Sequence, residues 1–290
     1  MSLTVAETWD CRDVRVADVE RAIGTLRDDE HGRQLRTSVM THVAWAPPEW
    51  EDAARATLEG LGEQHPSRTL LLLPEPEQPD GLDAAVSLQC FPSGDGGHVC
   101  TEVIELRLRG ARAEAPASIV APLLLPNLPV FLRWRGEPHW EARRFQRLVE
   151  IVHRLVVDSR EWGALRAAYA RLGELFGEQL AVSDIAWARG LPWRGALAAA
   201  WPAIGQVGEL TVAGPHADAR LLAGWLRARL GRPVALVHEP ADELEWVAVD
   251  CTEVEQPPEP VRSPSELLSE QLDRFGRDPV YEAAVRAAAD

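Results

Sequence analysis

The residues best suited to chemistry in this 290-residue chain lie in the stretch LLLPNLPVFLRWRGEPHW, from Leu123 to Trp140. An apolar run ends in Arg133-Trp134-Arg135-Gly136 and passes into a proline-interrupted loop that carries Trp140. Arginine presents a planar fork of donors that matches phosphate and carboxylate. In an open α/β sheet, ligands gather beyond the carboxyl ends of parallel strands. Arg133 and Arg135, with Arg68 as a further cation, therefore suit a sugar-phosphate pocket. The same residue types on a loop held by prolines also match a protein-interface hot spot. A core strand whose arginines snorkel to solvent is the third reading. Pattern alone leaves the three open. A second Trp/Arg group, Trp187, Arg189, Trp193 and Arg194 in SDIAWARGLPWR, has the same character.

The other reactive residues form no recognised motif. The chain has 30 arginines and no lysine, which removes Walker A, Schiff-base and kinase-type lysine chemistry. No G-x-G-x-x-G, G-x-S-x-G, H-E-x-x-H or EF-hand pattern occurs. His98-Val99-Cys100 near Cys90 offers too few ligands for a structural zinc site, so no metal or cofactor is expected. Asp28-Asp29-Glu30 reads as a solvated face, and His238-Glu239 as the end of a strand. The four cysteines, Cys11, Cys90, Cys100 and Cys251, contain no C-x-x-C pair. A hairpin turn in SGDGG centred on Asp95 would put Cys90 opposite Cys100, within disulfide reach in an antiparallel pair. That permits a redox pair; two buried thiols acting as small hydrophobes are the commoner arrangement.

Several elements must position these residues. Strands are expected at SVMTHVAWAP, RTLLLLPEP, VFLRWR, LVVDS, GELTVAGP, PVALVHEP and LEWVAVDCTEV, with DAAVSLQCF and HVCTEVIELRLRG as an antiparallel pair. Helical periodicity places Trp50, Ala53, Ala54, Thr57, Leu58 and Leu61 on one face. Helices are also expected around Phe145–Leu155, from a capping box at Asp158–Glu161 through Phe176, over 181–201 with a break at Pro192, and from His216 to Gly231. Ser263-Pro264-Ser265-Glu266 opens the closing helices, which carry Leu267, Leu268, Leu272 and Phe275, then Tyr281 and Val285. Alternating strands and helices indicate an α/β class: two layered α/β domains with mixed sheets and a C-terminal helical tail. The expected division is a charged, helical segment over 1–35, one α/β domain over 36–177 and a second over 178–290.

A formal net charge of -15 argues against a nucleic-acid partner. The polar N-terminus and the lack of a long apolar run argue against a signal peptide and a membrane span, leaving a cytoplasmic location. Eleven tryptophans against two tyrosines imply that most are core, with a minority free to anchor a partner.

The landmarks RTSVMTHVAW, HPSRTLLLLP, EVIELRLRG, LPVFLRWRG, LVVDS, SDIAWARGLPWR and FGRDPVYEAAVRAA, in that order, resemble the OpcA family of glucose-6-phosphate dehydrogenase assembly proteins. The likeness runs from about Arg36 to the C-terminus, and the arginine- and tryptophan-rich composition resembles the actinobacterial branch. It implies an accessory protein without catalytic residues that binds glucose-6-phosphate dehydrogenase and favours its active oligomer. No regulatory cysteine of the photosynthetic branch matches a position here, and the chain's own oligomeric state is not implied. Contact residues are then expected at Arg133, Trp134, Arg135 and Trp140, with Trp187, Arg189, Trp193 and Arg194 second.

Overall fold

The computed structural model describes residues 4–29, 34–35, 38–59, 61, 65–92, 98–255, 257 and 262–290. The expected SGDGG turn lies outside these residues. In chain order the elements are β1 (Thr4–Cys11), α1 (Val16–Asp29), β2 (Gln34–Leu35), β3 (Met40–Trp45), α2 (Glu51–Glu59), β4 (Ser67–Glu75), β5 (Gly81–Pro92), β6 (His98–Arg109), α3 (Pro116–Val120), β7 (Val130–Trp134), α4 (Arg143–Val149) and β8 (Arg154–Val157). Then follow α5 (Leu165–Glu174), β9 (Ala181–Asp184), α6 (Ile185–Arg189), α7 (Leu191–Ala199), β10 (Glu209–Gly214), α8 (His216–Leu230), β11 (Ala235–Pro240), β12 (Trp246–Val249), β13 (Thr252–Glu253), α9 (Pro264–Leu272) and α10 (Pro279–Ala288). This is an α/β fold with mixed sheets and closing helices.

Contacts divide the chain into two compact units, Met1–Val156 with Pro264–Asp273 and Val157–Ser263 with Arg274–Asp290. The division falls ahead of the expected break near residue 177 because α5 belongs with the second unit. Tyr169 on α5 donates its hydroxyl to Ser159 Oγ (2.9 Å) and Arg166 donates to Ala289 O (2.9 Å). Helix α9 belongs with the first unit, where Ser265 Oγ donates to Thr57 O (2.8 Å) and Ser269 Oγ bonds His65 Nε2 (2.6 Å).

In the first unit the strand order is β1-β5-β6-β4-β3-β7-β8, with β2 beside the start of β6. Strands β6, β4, β3, β7 and β8 run parallel; β5 is antiparallel to β6, and β1 to β5. Parallel strands are covered on both faces, which is why SRTLLLLP is buried end to end rather than alternating. Helix α2 covers one face through Ala54 and Leu58, packed with Trp50 on Ala44, Leu71 and Leu73. Burying each such leucine contributes about 1.5–3 kcal/mol.

Strand β1 falls in the segment expected to be charged and helical; its partner, the edge of β5, is what holds TVAETWDC extended. Cys90 and Cys100 face each other in the β5–β6 register and form a disulfide with Cα atoms 4.1 Å apart. The pairing that the hairpin register permits is present, and the reading as two buried thiols, the commoner arrangement, is corrected.

The second unit carries a sheet of order β11-β10-β12-β13, with β10 parallel to β11 and antiparallel to β12. Helix α8 ends at Gly231, whose φ of 64° is the left-handed cap that a side chain resists. At Gly224 a Cβ would overlap Ala284 O, so this glycine is what lets α10 lie close against α8. Two local expectations change. Asp158 caps a 3₁₀ turn over Ser159–Glu161 instead of opening α5, and residues 181–184 form strand β9 before α6 and α7. Phe275 is 68% exposed because α9 ends at Leu272, before the helical face reaches it.

Candidate functional site

The first unit holds a crevice at the carboxyl ends of its central strands. From β3 the chain crosses through α2 to β4 on one side; from β7 it crosses through α4 to β8 on the other. The direction of winding reverses between β3 and β7, and open α/β sheets bind ligands at such a switch point. There Trp45 and Trp134, the last residues of the two strands, stack at 4.8 Å with planes 10° apart. With Pro47, Pro74, Arg135 and His139 they line a crevice of about 200 Å³, smaller than the few hundred Å³ usual for a drug-sized ligand. Trp134 is fixed from behind by Phe145, edge-on at 4.9 Å, and Phe145 meets Trp140 at 5.6 Å.

Arg135 extends the β7 pairing by donating its backbone N–H to Trp45 O (3.0 Å). Its guanidinium donates to Thr57 Oγ1 (2.7 Å) and Ala53 O (3.3 Å) and lies 5.9 Å from the centre of the Trp50 ring. The chain then turns at Gly136 with φ 76°, where a Cβ would come within 3.2 Å of Trp50 Nε1. Glycine is required there by both conformation and space. Arg144, on α4 beside the crevice, pairs with Glu114.

The cations proposed for a sugar-phosphate pocket are not brought together. Arg68 is buried at the opposite end of β4, donating to Glu102 Oε2 (2.7 Å) and Leu123 O (2.7 Å). In register it stands level with Thr41 and hence Val130, five residues before Arg135, or roughly 16 Å at 3.3 Å per residue. Arg133 is 2% exposed and donates to Trp134 O, so of the three only Arg135 reaches the crevice. The snorkelling reading is corrected as well, because both faces of β7 are covered.

The expected contact residues are also mostly interior. Arg133, Trp134, Arg135, Trp187, Trp193 and Arg194 are buried; Trp140 and Arg189 are half-buried. In the second unit Arg194 stacks 3.4 Å over the Trp187 ring and donates to Trp187 O (2.7 Å), and burial lowers its pKa to about 9. The Trp187 indole donates to Asp278 Oδ2 (3.1 Å). Sequence reading missed the large side chains that do face solvent: Trp201 and Phe275, each 68% exposed, and Leu191 at 51%. Trp201 follows the alanine run that ends α7 and precedes Pro202, a position that marks a helix end and so an uncovered face.

Residues 59–174 match the family domain described as glucose-6-phosphate dehydrogenase subunit N-terminal domain, and residues 180–260 match the corresponding C-terminal domain. The chain belongs to the OpcA family. Relatives named "Putative OxPP cycle protein OpcA" include one from Synechocystis sp., 28% identical over 77% of this chain and 49% of its own length. One from Synechococcus elongatus is 29% identical over 60% of this chain and 42% of its own. One from Nostoc punctiforme is 28% identical over 66% and 45%. The matches thus take in about half the length of these relatives.

This OpcA-family chain buries a second group of ionisable residues in its second unit. Asp184 ends β9 and caps α6: its Oδ1 accepts from Ala186 N (2.9 Å) and Ser159 N (3.1 Å), and its Oδ2 from the Tyr281 hydroxyl (3.4 Å). Burial first, then the neighbouring Asp158 carboxylate, raise its pKa to about 7. Asp158 itself accepts from Arg189 at 2.9 and 3.1 Å. Arg160 grips Asp218 with two donors at 2.7 and 2.9 Å and reaches Glu243 at 2.8 Å. Among the described residues no three His, Cys, Asp or Glu side chains are grouped to hold a metal, and no helix is long and apolar enough to cross a membrane.

Proposed function

We propose that this chain is a non-catalytic accessory subunit that binds glucose-6-phosphate dehydrogenase and favours its active oligomer in the oxidative pentose phosphate pathway. The observation that carries this reading is the match of both halves of the chain to domains described as parts of a glucose-6-phosphate dehydrogenase subunit. Its two nearest approaches to an acid–base pair, Asp158 and Asp184, are buried and bonded to protein partners, which suits a structural role for them. Trp201, Phe275 and Leu191 supply the exposed aromatic and aliphatic surface that interface anchors use.

A subunit of this kind acts by binding the active oligomer better than the inactive one, and about 1.4 kcal/mol of difference shifts the balance tenfold. The test is the initial rate of the same organism's dehydrogenase across substrate concentration, with and without this protein. A raised maximum rate or lowered half-saturation that titrates to a fixed ratio is the expected result. No change in either, together with no co-elution, would refute the reading. Trp201→Ala and Phe275→Ala should each weaken the complex by about 2 kcal/mol if these side chains are the anchors.

A further inference from the structure

An open pocket of about 600 Å³ in the second unit lies over the first turns of α5 and α8. Its floor is apolar, built from Leu165, Ala167 and Ala170, and its charged lining residues are Arg166, Arg220 and the ionisable His216. No carboxylate is among the lining residues, although the chain as a whole carries a formal charge of -15. Asp218, in the first turn of α8, is turned inward onto Arg160, and the exposed Asp290 is not part of the lining.

The two arginines are held by backbone rather than by acids. Arg166 Nε donates to Ala289 O (2.9 Å); Arg220 donates through Nε (3.2 Å) and Nη2 (2.8 Å) to Ala288 O. Carbonyls at the end of α10 orient both guanidiniums without neutralising them, and Arg166 Nη1 and Nη2 and Arg220 Nη1 bond no acceptor among the described residues. The His216 ring stacks on His238 at 4.8 Å, which in turn is tied by Nε2 to Gly214 O (2.8 Å). Two guanidiniums are therefore collected beside an apolar floor, with the His216 ring, which burial keeps toward its neutral form, next to them. Burial lowers the Arg220 guanidinium below its ordinary value; the neighbouring Tyr169 opposes this, and Arg227 and Arg166 add to it.

We propose that this pocket binds a phosphate monoester, the dianion lying between Arg166 and Arg220 near His216 and the organic group on the Leu165–Ala170 floor. Guanidinium forks suit phosphate oxygens, and an alanine-lined floor accepts a flat apolar group without desolvating any polar atom. The proposal does not depend on the dehydrogenase reading.

The test is calorimetric titration of the full chain, at fixed ionic strength in chloride, with phenyl phosphate and separately with inorganic phosphate. Saturable binding of one phenyl phosphate, several-fold tighter than inorganic phosphate, is expected. The R166Q/R220Q double variant, whose glutamines can still donate to the α10 carbonyls, should bind at least tenfold more weakly. Should that variant not fold, the single variant R166Q is expected to lose affinity several-fold. His216→Ala should weaken binding by a smaller factor and leave the ligand-free thermal midpoint unchanged. No saturation by either probe up to about 10 mM, or undiminished affinity in the arginine variants, overturns the site. Equal affinity for the two probes overturns the assignment to an ester.

Discussion

His42 in the first unit and Asp184 in the second are both fully buried, yet the two units handle them in opposite ways. His42 lies on β3 between Thr69 and Phe131 in register, and neither ring nitrogen has a hydrogen-bond partner among the described residues. Burial, then the nearby positive charge of Arg133, lowers its pKa to about 3, so it is packed as a neutral ring. Asp184 is fully bonded, and burial raises its pKa to about 7. Their contributions to stability therefore run against each other with pH. The unfolded histidine gains a proton below its ordinary 6.5 while the native one does not, so the first unit loses stability as pH falls from 6.5 towards 3. The native aspartate holds its proton above 3.8 while the unfolded one does not, so the second unit loses stability as pH rises from 3.8 through 7. These two groups thus pull the pH dependence of stability in opposite directions.

The largest expected effect removes a partner from the second unit's network. Arg160→Ala leaves Asp218, whose side chain has no exposure, without its bidentate cation. A loss of about 3–5 kcal/mol is expected in urea unfolding, and Arg160→Met combined with Asp218→Leu should recover most of it. Next is Asp184→Asn, which keeps the acceptor for Ala186 N–H and cannot ionise. At pH 8 it should be more stable than the wild type by on the order of 4 kcal/mol, at about 1.4 kcal/mol per pKa unit, with the difference gone near pH 4. An identical pH profile for both proteins would erase the contrast between the units. Reducing Cys90–Cys100 removes a staple confined to the first unit, across a sequence separation of 10. About 2–3 kcal/mol is expected, seen by hydrogen exchange in β5 and β6 while α8 and α10 stay protected. The smallest change is His42→Leu, which takes away a buried polar ring with nothing to bond. It should stabilise by about 1 kcal/mol at pH 7 and more at pH 5, where the wild type pays for the unfolded proton.

The β3, β4 and β7 strands were legible because central parallel strands need long apolar runs, and RTLLLLP and VFLRW have them. The Cys90–Cys100 register was legible because an antiparallel hairpin fixes which residues face each other. The position of Arg135 at the mouth of a strand-end crevice also followed from sequence. What could not be read was which side chains face solvent. Arg133 and Trp134 have the composition of a hot spot, but β7 has neighbours on both sides and layers on both faces. Trp193 and Arg194 also have an interface's composition but lie on the buried face of α7, with Arg194 stacked on Trp187, whereas Trp201, a few residues on, stands out because the helix has ended. Strand β1 was hidden because its apolar content is low and its stability comes from β5, far along the chain.

The return of α9 to the first unit has a consequence for biosynthesis. Residues Pro264–Asp273 complete a unit whose other members end at Val156, so that unit's final helix leaves the ribosome only after most of the second unit has been made. At about 5–20 residues per second, the intervening hundred or so residues take several seconds to appear. During that interval the surface of α2 that receives Ser265 is bare, and the nascent chain is open to chaperones at that surface.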